Sequence, residues 1–345
     1  MPVFSTVALF FCVFWAVVGP LVSDKIEKRL EWFLLALGAT AVTLSGSWNE
    51  TVVAESLMRP LKVCGAILFG SLIFSFLHGA MRERMKTQIA KIGVRPAVGA
   101  AVVLVGFSSA VLTSAIGVLL LIELIGAMDL ERDSELKVAI VGCFAVGLGG
   151  GLTPIAGPVP AIAMAKLAQA PYATGPYYLF NLLGPWVLPA ILSMGVVAGW
   201  VFAKRASVPR RTAEDPLTLW NMLVLTGRTY LFIAGLVLLG EGVLPLAERV
   251  VLGVPPPVLY WANSVSAAID GATLASIEIN PLMTQEQLRH VLMGILIARG
   301  GLVTGNATNL VAAHKLKIPS KEWAKLGTPI AAFLMLFYFI SLGAY

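Results

Sequence analysis

The sequence predicts an all-α polytopic membrane protein built as an inverted repeat, each half carrying a re-entrant hairpin and a discontinuous transmembrane helix. Three observations predict this fold class. Hydrophobic residues make up 58% of the chain and charged residues only 13%, whereas charged residues make up about a quarter of a soluble domain. Apolar windows close to the roughly 20 residues that a membrane-crossing helix needs recur along the chain. Glycine-rich runs interrupt such windows at corresponding places in the two halves.

Six windows are, at least approximately, long and apolar enough to be single transmembrane helices. They are residues 3–22, 30–45, 61–77, 176–203, 219–239 and 323–342. The first resembles a signal sequence in hydrophobicity, but it lacks a basic n-region and a convincing small-residue cleavage site, so we expect a retained helix. Residues 1–58 then hold two peripheral helices outside the repeat. We expect these helices to serve packing or dimerisation, which leaves a homodimer open.

Four other segments do not fit one straight helix each. Residues 96–128 and 258–283 carry polar interruptions, and we interpret both as re-entrant hairpins. Residues 136–167 and 288–316 begin as helices, meet a glycine-rich run and resume, which is typical of a discontinuous transmembrane helix. Backbone at membrane depth leaves helical geometry only where protein or a watery cavity satisfies its polar groups. The interruptions therefore predict a site inside the protein.

The basic residues predict opposite orientations for the two halves, residues 59–215 and 216–345. Lysine and arginine near helix ends are retained on the cytoplasmic side, and placing all four basic clusters there makes the first hairpin enter from the cytoplasm and the second from outside. Residues 109–115 also resemble 266–272 in sequence, and the glycine-rich runs follow in the same order. An inverted repeat of this kind is typical of transporters, with the site near the midplane.

Asp270 is the first candidate site residue, because it lies within the second hairpin between apolar segments. A charge at membrane depth costs roughly 2.5 kcal/mol or more, and intramembrane acids are functional by default. A carboxylate binds a hard cation or a proton, and exchange needs only that the two compete for a site reached alternately from each side. The alternative is a structural carboxylate paired with a lysine or a helix end.

Neutral oxygens in both halves are the candidate ligands beside Asp270. Those of the second half are Asn263, Ser264, Ser266, Thr304, Asn306, Thr308 and Asn309. Those of the first half are Ser109, Thr113, Ser114 and Thr153. Such oxygens suit sodium, but with the N–H groups of half-helix N-termini they also suit an anion. Alternatively, these side chains only cap helices and hydrogen-bond the backbone groups that the breaks leave free. This structural role is favoured for the four residues of the first half.

Three charged residues near the hairpins and breaks leave alternatives open. Glu123 and Glu278 follow the hairpin tips by roughly two to three helical turns, so each is either a proton relay or an interface ion pair. Arg299 immediately precedes the second glycine-rich run. Its side chain contacts Asp270, contacts an anionic substrate, or only anchors the helix in the protein interior. An arginine that points into the cavity would favour an anionic substrate.

Two motifs resemble those of the ion transporter superfamily, which includes sodium/proton antiporters, arsenite carriers and dicarboxylate carriers. Residues 266–271, Ser-Ala-Ala-Ile-Asp-Gly, resemble its Ser-Ala-x-x-Asp-Asn hairpin, with Gly271 in place of asparagine. Residues 148–155 resemble its Gly-Gly-Asn-x-Thr-Pro-Ile-Gly broken helix, with Gly151 in place of asparagine. The chain looks closest to an uncharacterised cation transporter branch. Thr113 and Ser114 stand where the first hairpin's acid and amide would be, which argues against a multi-charge stoichiometry.

Composition and motifs argue against several other classes of protein. The formal charge of +6 comes from basic clusters between apolar spans, which is the positive-inside pattern and not a nucleic-acid face. The three cysteines lie within apolar spans and form no CxxC pair. Catalytic motifs such as HExxH, GxSxG and the Walker loop are missing from the sequence. We therefore expect no enzyme, no cofactor and no metal beyond a transported cation.

The sequence thus favours a secondary transporter of a small cation, with sodium/proton antiport as the first hypothesis. Its partners would be sodium, the proton and the lipid bilayer, and its location the inner membrane of a prokaryotic cell. The alternative is an anion carrier, for a dicarboxylate or an oxyanion such as arsenite, coupled to sodium or a proton. A channel or accessory subunit is a third reading, which the duplicated broken helices disfavour.

Overall fold

The computed structural model of the chain describes residues 3–168, 171–172, 174–204, 219–251, 254–265, 271–279 and 281–343. All regular elements of this described part are helices. In chain order they are α1 (Val3–Val22), α2 (Asp24–Lys28), α3 (Leu30–Ser45), α4 (Glu50–Ile92), α5 (Val94–Ser108), α6 (Ser114–Gly126), α7 (Arg132–Gly149), α8 (Pro158–Lys166), α9 (Tyr178–Val196), α10 (Leu219–Val251), α11 (Pro256–Val265), α12 (Gly271–Glu278), α13 (Gln285–Ala298), α14 (Ala307–Lys315) and α15 (Ser320–Gly343).

Helices long and apolar enough to cross a membrane account for four of the six predicted windows. They are Ser5–Val22, Tyr178–Phe202, Met222–Leu246 and Ser320–Leu342. The second of these includes a π-helical extension of α9 over Val197–Phe202. The window at 30–45 forms α3, a shorter apolar helix, and the window at 61–77 lies inside α4. The chain therefore has the helices of a multi-pass membrane protein.

α4 is a single helix of 43 residues that continues through Pro60. At 1.5 Å per residue it is about 65 Å long, roughly twice the hydrocarbon thickness of a bilayer. The helix begins where Asn49 accepts a hydrogen bond from the Val52 N–H at 2.8 Å. It ends at Gly93, whose φ of 84° is one that side-chain-bearing residues rarely adopt. The boundary predicted at residue 58 therefore falls inside this helix.

The predicted interruptions of the helices occur where polar and glycine residues cluster. Segment 96–128 lies in two helices, α5 and α6, joined by a turn at residues 109–113. Residues 150–157, the first break, separate α7 from α8, which starts with a proline at the position where its missing N–H is tolerated. Residues 299–306, the second break, separate α13 from α14 and contain the 3₁₀ turn Val303–Gly305. Both α8 and α14 are 9 residues long.

The packing of helices joins the two halves of the chain. α5 packs on α7 and α9, and α11 packs on α13. Across the halves, α8 packs on α12, while α14 packs on α6. The N-terminal α3 packs along α10, and a Cβ at Gly38 would lie only 2.4 Å from the Gly235 carbonyl oxygen. Each broken helix thus ends against the other half of the chain.

Candidate functional site

The turn between α5 and α6 lies directly against the first break. The Ser114 N–H and hydroxyl donate to the Ala156 carbonyl at 3.0 and 3.2 Å. Thr153 donates its hydroxyl hydrogen to the Ala110 carbonyl. A Cβ at Gly150 would lie 2.1 Å from Ser114 Oγ, so only glycine lets the break approach the turn this closely. The first turn and the first break therefore form one polar unit.

Structural hydrogen bonds use the hydroxyl hydrogens of this unit. Ser109 is fully buried, and its Oγ lies 2.7 Å from the Gly106 carbonyl and 3.0 Å from the Val146 carbonyl. Thr113 caps α6 by accepting from the Ile116 N–H at 3.4 Å. These bonds satisfy backbone groups that the interruptions leave without helical partners. A hydroxyl oxygen that donates its hydrogen still has lone pairs, so these side chains can also bind a cation.

The second break is organised by two asparagines and one arginine. Asn309 is buried, and its side-chain amide donates to the carbonyls of Arg299 and Leu302, each at 2.8 Å. Asn306 is the N-cap of α14, and its side-chain oxygen accepts from the Thr308 N–H at 3.5 Å and from Arg299 Nη2 at 2.8 Å. The two amides therefore fix the shape of the break.

Arg299 reaches from the second break to the start of α12. Its Cδ would lie 2.7 Å from a Cβ built at Gly271, and its Nε donates to the Gly305 carbonyl at 3.4 Å. Asp270 and Ser266, both predicted site residues, lie outside the described residues. Gly271 directly follows Asp270 in the sequence. The arginine therefore contacts both the second break and the residue that follows Asp270.

Asn263 and Glu278 form a buried polar pair between α11 and α12. Asn263 is 0% exposed and Glu278 is 3% exposed, and the amide Nδ2 donates to Oε2 of the carboxyl group at 3.0 Å. In the described part of the chain the partner of Glu278 is thus a neutral amide. Ser264, the next residue after Asn263, is exposed and donates to the Trp261 carbonyl at 2.6 Å. It does not join the other candidate ligands.

Two buried threonines complete the second break. Thr304 is 4% exposed within the 3₁₀ turn, and Thr308 is 4% exposed in the first turn of α14. The Thr308 hydroxyl has no hydrogen-bond partner among the groups that the structure describes. A buried hydroxyl without a partner is costly, so such a group commonly serves a ligand or an adjoining segment.

Glycine residues let each break pack closely against a helix of the other half. A Cβ at Gly151 would lie 2.4 Å from Leu296 Cδ1, and a Cβ at Gly300 would lie 2.3 Å from Phe144 Cε1. Each contact joins the break of one half to the helix that precedes the break of the other half. α15 braces the second break, since the buried Trp323 donates its indole N–H to the Gly300 carbonyl at 3.1 Å.

Lysines at the ends of the broken helices contact the opposite half of the chain. Lys166, at the end of α8, donates to the Ile279 carbonyl at 3.2 Å. Lys315, at the end of α14, interacts electrostatically with Glu123 on α6. Sequence reasoning assigned no role to either lysine, nor to Trp323. The sequence did contain a signal for the two lysines, because each lies at the end of a predicted broken helix, residues 136–167 and 288–316.

Comparison with known proteins identifies one family for nearly the whole chain. The model of the family described as "Protein of unknown function (DUF1646)" matches residues 6–344. No curated protein that was compared with the chain matches it.

Proposed function

This chain belongs to the DUF1646 family, and we propose that it is a secondary active transporter that exchanges a small cation, sodium, for protons. Asp270 is the carboxylate at which the cation and the proton compete. The site opens alternately to the two sides of the membrane as the halves of the chain move against each other. The two breaks and the two hairpins supply the remaining oxygens.

The observation that carries the proposal is the packing of each break against the other half of the chain. Non-helical backbone at membrane depth is tolerated only where it is buried in protein or lines a watery cavity, and here Gly151 packs against Leu296 of α13 while Gly300 packs against Phe144 of α7. The contacts also repeat between the halves, since α8 meets α12 while α14 meets α6. This pattern supports an inverted repeat with a central site, the arrangement on which alternating access depends.

The chemistry of the site supports a hard cation. Sodium, like calcium and magnesium, is a hard cation bound by oxygen ligands, namely carboxylates, carbonyls and amide or hydroxyl oxygens. The first unit offers hydroxyl oxygens at Ser109, Ser114 and Thr153 whose hydrogens already point to carbonyls. Asp270 contributes the negative charge that a neutral oxygen set lacks. A single carboxylate favours exchange of one monovalent cation for one proton in each cycle.

An anion carrier is the second candidate, and the position of Arg299 favours it. The guanidinium lies at the second break beside the N-terminus of α14. Both the positive charge and the helix N-terminus attract a carboxylate or an oxyanion. Under the cation proposal the positive charge of the same arginine compensates the negative charge of Asp270 when the site holds neither sodium nor a proton. The two candidates therefore assign opposite roles to one residue.

Proton flux in liposomes that hold the purified protein tests the proposal. An internal pH dye would be followed on addition of sodium, potassium or lithium, for the wild type, Asp270→Asn and Asp133→Asn. Asp133 is a matched control because it is an exposed aspartate that pairs with Lys137 on α7. We expect sodium-dependent flux in the wild type and the control, and none in Asp270→Asn.

Two results would contradict the cation proposal. Sodium-dependent flux that persists in Asp270→Asn would exclude this carboxylate as the exchange site. No response to any cation, together with exchange of a dicarboxylate or arsenite in the same vesicles, would establish the anion carrier instead.

A further inference from the structure

We propose that Glu278 and Asn263 form a proton-binding site, separate from Asp270, through which protons pass between the loop after α12 and the exchange site. This inference rests on the proposed function, because it supplies the route of the proton that sodium displaces. The position, the partner and the surroundings of Glu278 each support it.

Glu278 is enclosed by protein and its hydrogen-bond partner is neutral. The carboxyl group is 3% exposed, and Asn263, which donates to it at 3.0 Å, is fully buried. Burial in a medium of low dielectric disfavours an ionised carboxylate unless a cation compensates it. Among the described ion pairs none involves Glu278. The surroundings therefore stabilise the protonated acid.

Among the side chains that the structure describes, five ionisable groups on the helices packed against α12 are engaged with other partners. α8, α10 and α13 pack on α12. The engaged groups are Lys166 at the Ile279 carbonyl (3.2 Å), Arg228 at Glu31 (3.6 Å), Glu241 at Arg59 (4.0 Å), Arg289 over the Trp186 ring (5.8 Å) and His290 at the Glu286 carbonyl (2.9 Å). α12 itself ends at Glu278, and the negative end of the helix dipole opposes a carboxylate charge there.

Glu123 on α6 provides an internal comparison. It occupies the return arm of the first hairpin as Glu278 occupies that of the second. Glu123 interacts with Lys315, at the end of the broken helix that packs on its arm. Lys166 is at the corresponding end of the other broken helix, but it donates to the carbonyl of Ile279. One return arm thus carries a carboxylate with a lysine in its electrostatic environment, whereas the other carries an acid that is hydrogen-bonded to a neutral amide.

The position of Glu278 places it between water and the exchange site. Gly271 and Glu278 are the two ends of α12, which separates them by about 10 Å at a rise of 1.5 Å per residue. Thr284, at the end of the loop that follows, and Gln285 and Glu286 after it are polar and exposed. When sodium displaces the proton from Asp270, Glu278 releases its own proton to water at this loop and takes up the displaced one, and both transfers run in reverse when a proton returns to Asp270. Its carboxyl group is therefore neutral before and after each transfer, and no net charge accumulates.

Separate measurement of two sodium fluxes tests the proton route. Glu278→Gln retains the shape of the protonated acid and an oxygen that accepts from Asn263. Exchange of radiolabelled sodium for sodium needs no proton, whereas sodium/proton exchange does. We expect Glu278→Gln to retain sodium/sodium exchange and to lose sodium/proton exchange by more than tenfold. We expect Glu286→Gln, which changes an exposed glutamate of α13, to leave the ratio of the two fluxes unchanged. The route would be overturned if Glu278→Gln kept sodium/proton exchange at the wild-type rate, or if it lost sodium/sodium exchange and sodium/proton exchange to the same extent.

Infrared spectroscopy of the purified protein tests the protonation without any transport. The test uses the Asp270→Asn protein, which lacks the other acid that the proposed function protonates. The carbonyl stretch of a protonated carboxylic acid should be present in this protein at neutral pH, be missing when Glu278→Gln is added and remain when Glu123→Gln is added instead. An unchanged spectrum on addition of Glu278→Gln would mean that Glu278 is ionised and would refute the site. If the band depends on Glu278 in this way but the wild type exchanges no cation for protons, the proposed function fails while the proton-binding site stands.

Discussion

Arg299 and Gly271 are in direct contact, since a Cβ built on Gly271 would lie 2.7 Å from Cδ of the arginine. Beyond this contact the guanidinium reaches Asn306 at the start of α14. The glycine therefore makes room for a cationic side chain between the residue after Asp270 and a helix N-terminus. This contact accounts physically for the glycine that follows Asp270.

Gly271→Ala should displace Arg299 and impair transport. The added methyl group would lie within 3.0 Å of both Cδ and Nε, and the guanidinium is held by Asn306, so the side chain cannot simply turn away. Overpacking of this kind costs about 1–3 kcal/mol. We expect at least a tenfold loss of cation-dependent flux and a lower thermal midpoint in detergent. Gly227→Ala is the control, because nothing lies within 4 Å of its added methyl. Normal flux in Gly271→Ala would refute the role of this contact.

Gly149→Ala should separate α7 from α5 and distort the first break. A Cβ there would lie 1.9 Å from the Gly106 carbonyl oxygen, and backbone cannot rotate away as a side chain can. Gly147, two residues earlier in the same helix, has nothing within 4 Å of the corresponding Cβ. We expect thermal unfolding of Gly149→Ala several degrees below the wild type. Gly147→Ala should be neutral or stabilised by up to about 1 kcal/mol. Similar midpoints for both variants would contradict the close approach.

The interruptions of the helices could be predicted because their signals are local. Glycine runs within apolar windows indicate broken helices, and the breaks occur at residues 150–157 and 299–306. Four of the six single-span windows also correspond to apolar helices of sufficient length. The extent of α4 was not predicted, since a boundary was expected after residue 58 and the helix runs through both this point and Pro60.

The partners within the site could not be read from the sequence, because they depend on how distant helices pack. Asn263 and Ser264 are adjacent, yet one is buried against Glu278 and the other is exposed. A helix turns by about 100° per residue, so only the unknown orientation of α11 decides which one faces inward. The same holds for Lys166, whose partner is the carbonyl of Ile279, directly after α12 in the other half.

Thr308→Val should retain stability but lower transport. The hydroxyl is buried and has no hydrogen-bond partner in the described part of the chain. Valine replaces it by a methyl group of similar size. The substitution therefore removes a buried polar atom and breaks no described hydrogen bond. We expect an unchanged or higher thermal midpoint and a sodium half-saturation concentration raised at least threefold. Thr229→Val on α10, which loses the bond from its hydroxyl to the Leu225 carbonyl at 2.9 Å, should show lower stability with normal sodium affinity. Normal affinity in Thr308→Val would exclude its hydroxyl as a ligand.

Arg299→Gln separates the cation transporter from the anion carrier, because the arginine charge affects the two ligands with opposite sign. Two unit charges about 8 Å apart interact by about 2 kcal/mol at an effective dielectric constant of about 20. Removal of the repelling charge should therefore lower the sodium half-saturation concentration by about tenfold or more, measured as cation-dependent proton flux. Glutamine retains a donor for Asn306, and Arg84→Gln, at an exposed position on α4, controls for the loss of charge alone. Weaker sodium binding in Arg299→Gln, with weakened exchange of a dicarboxylate, would assign the arginine to an anionic substrate.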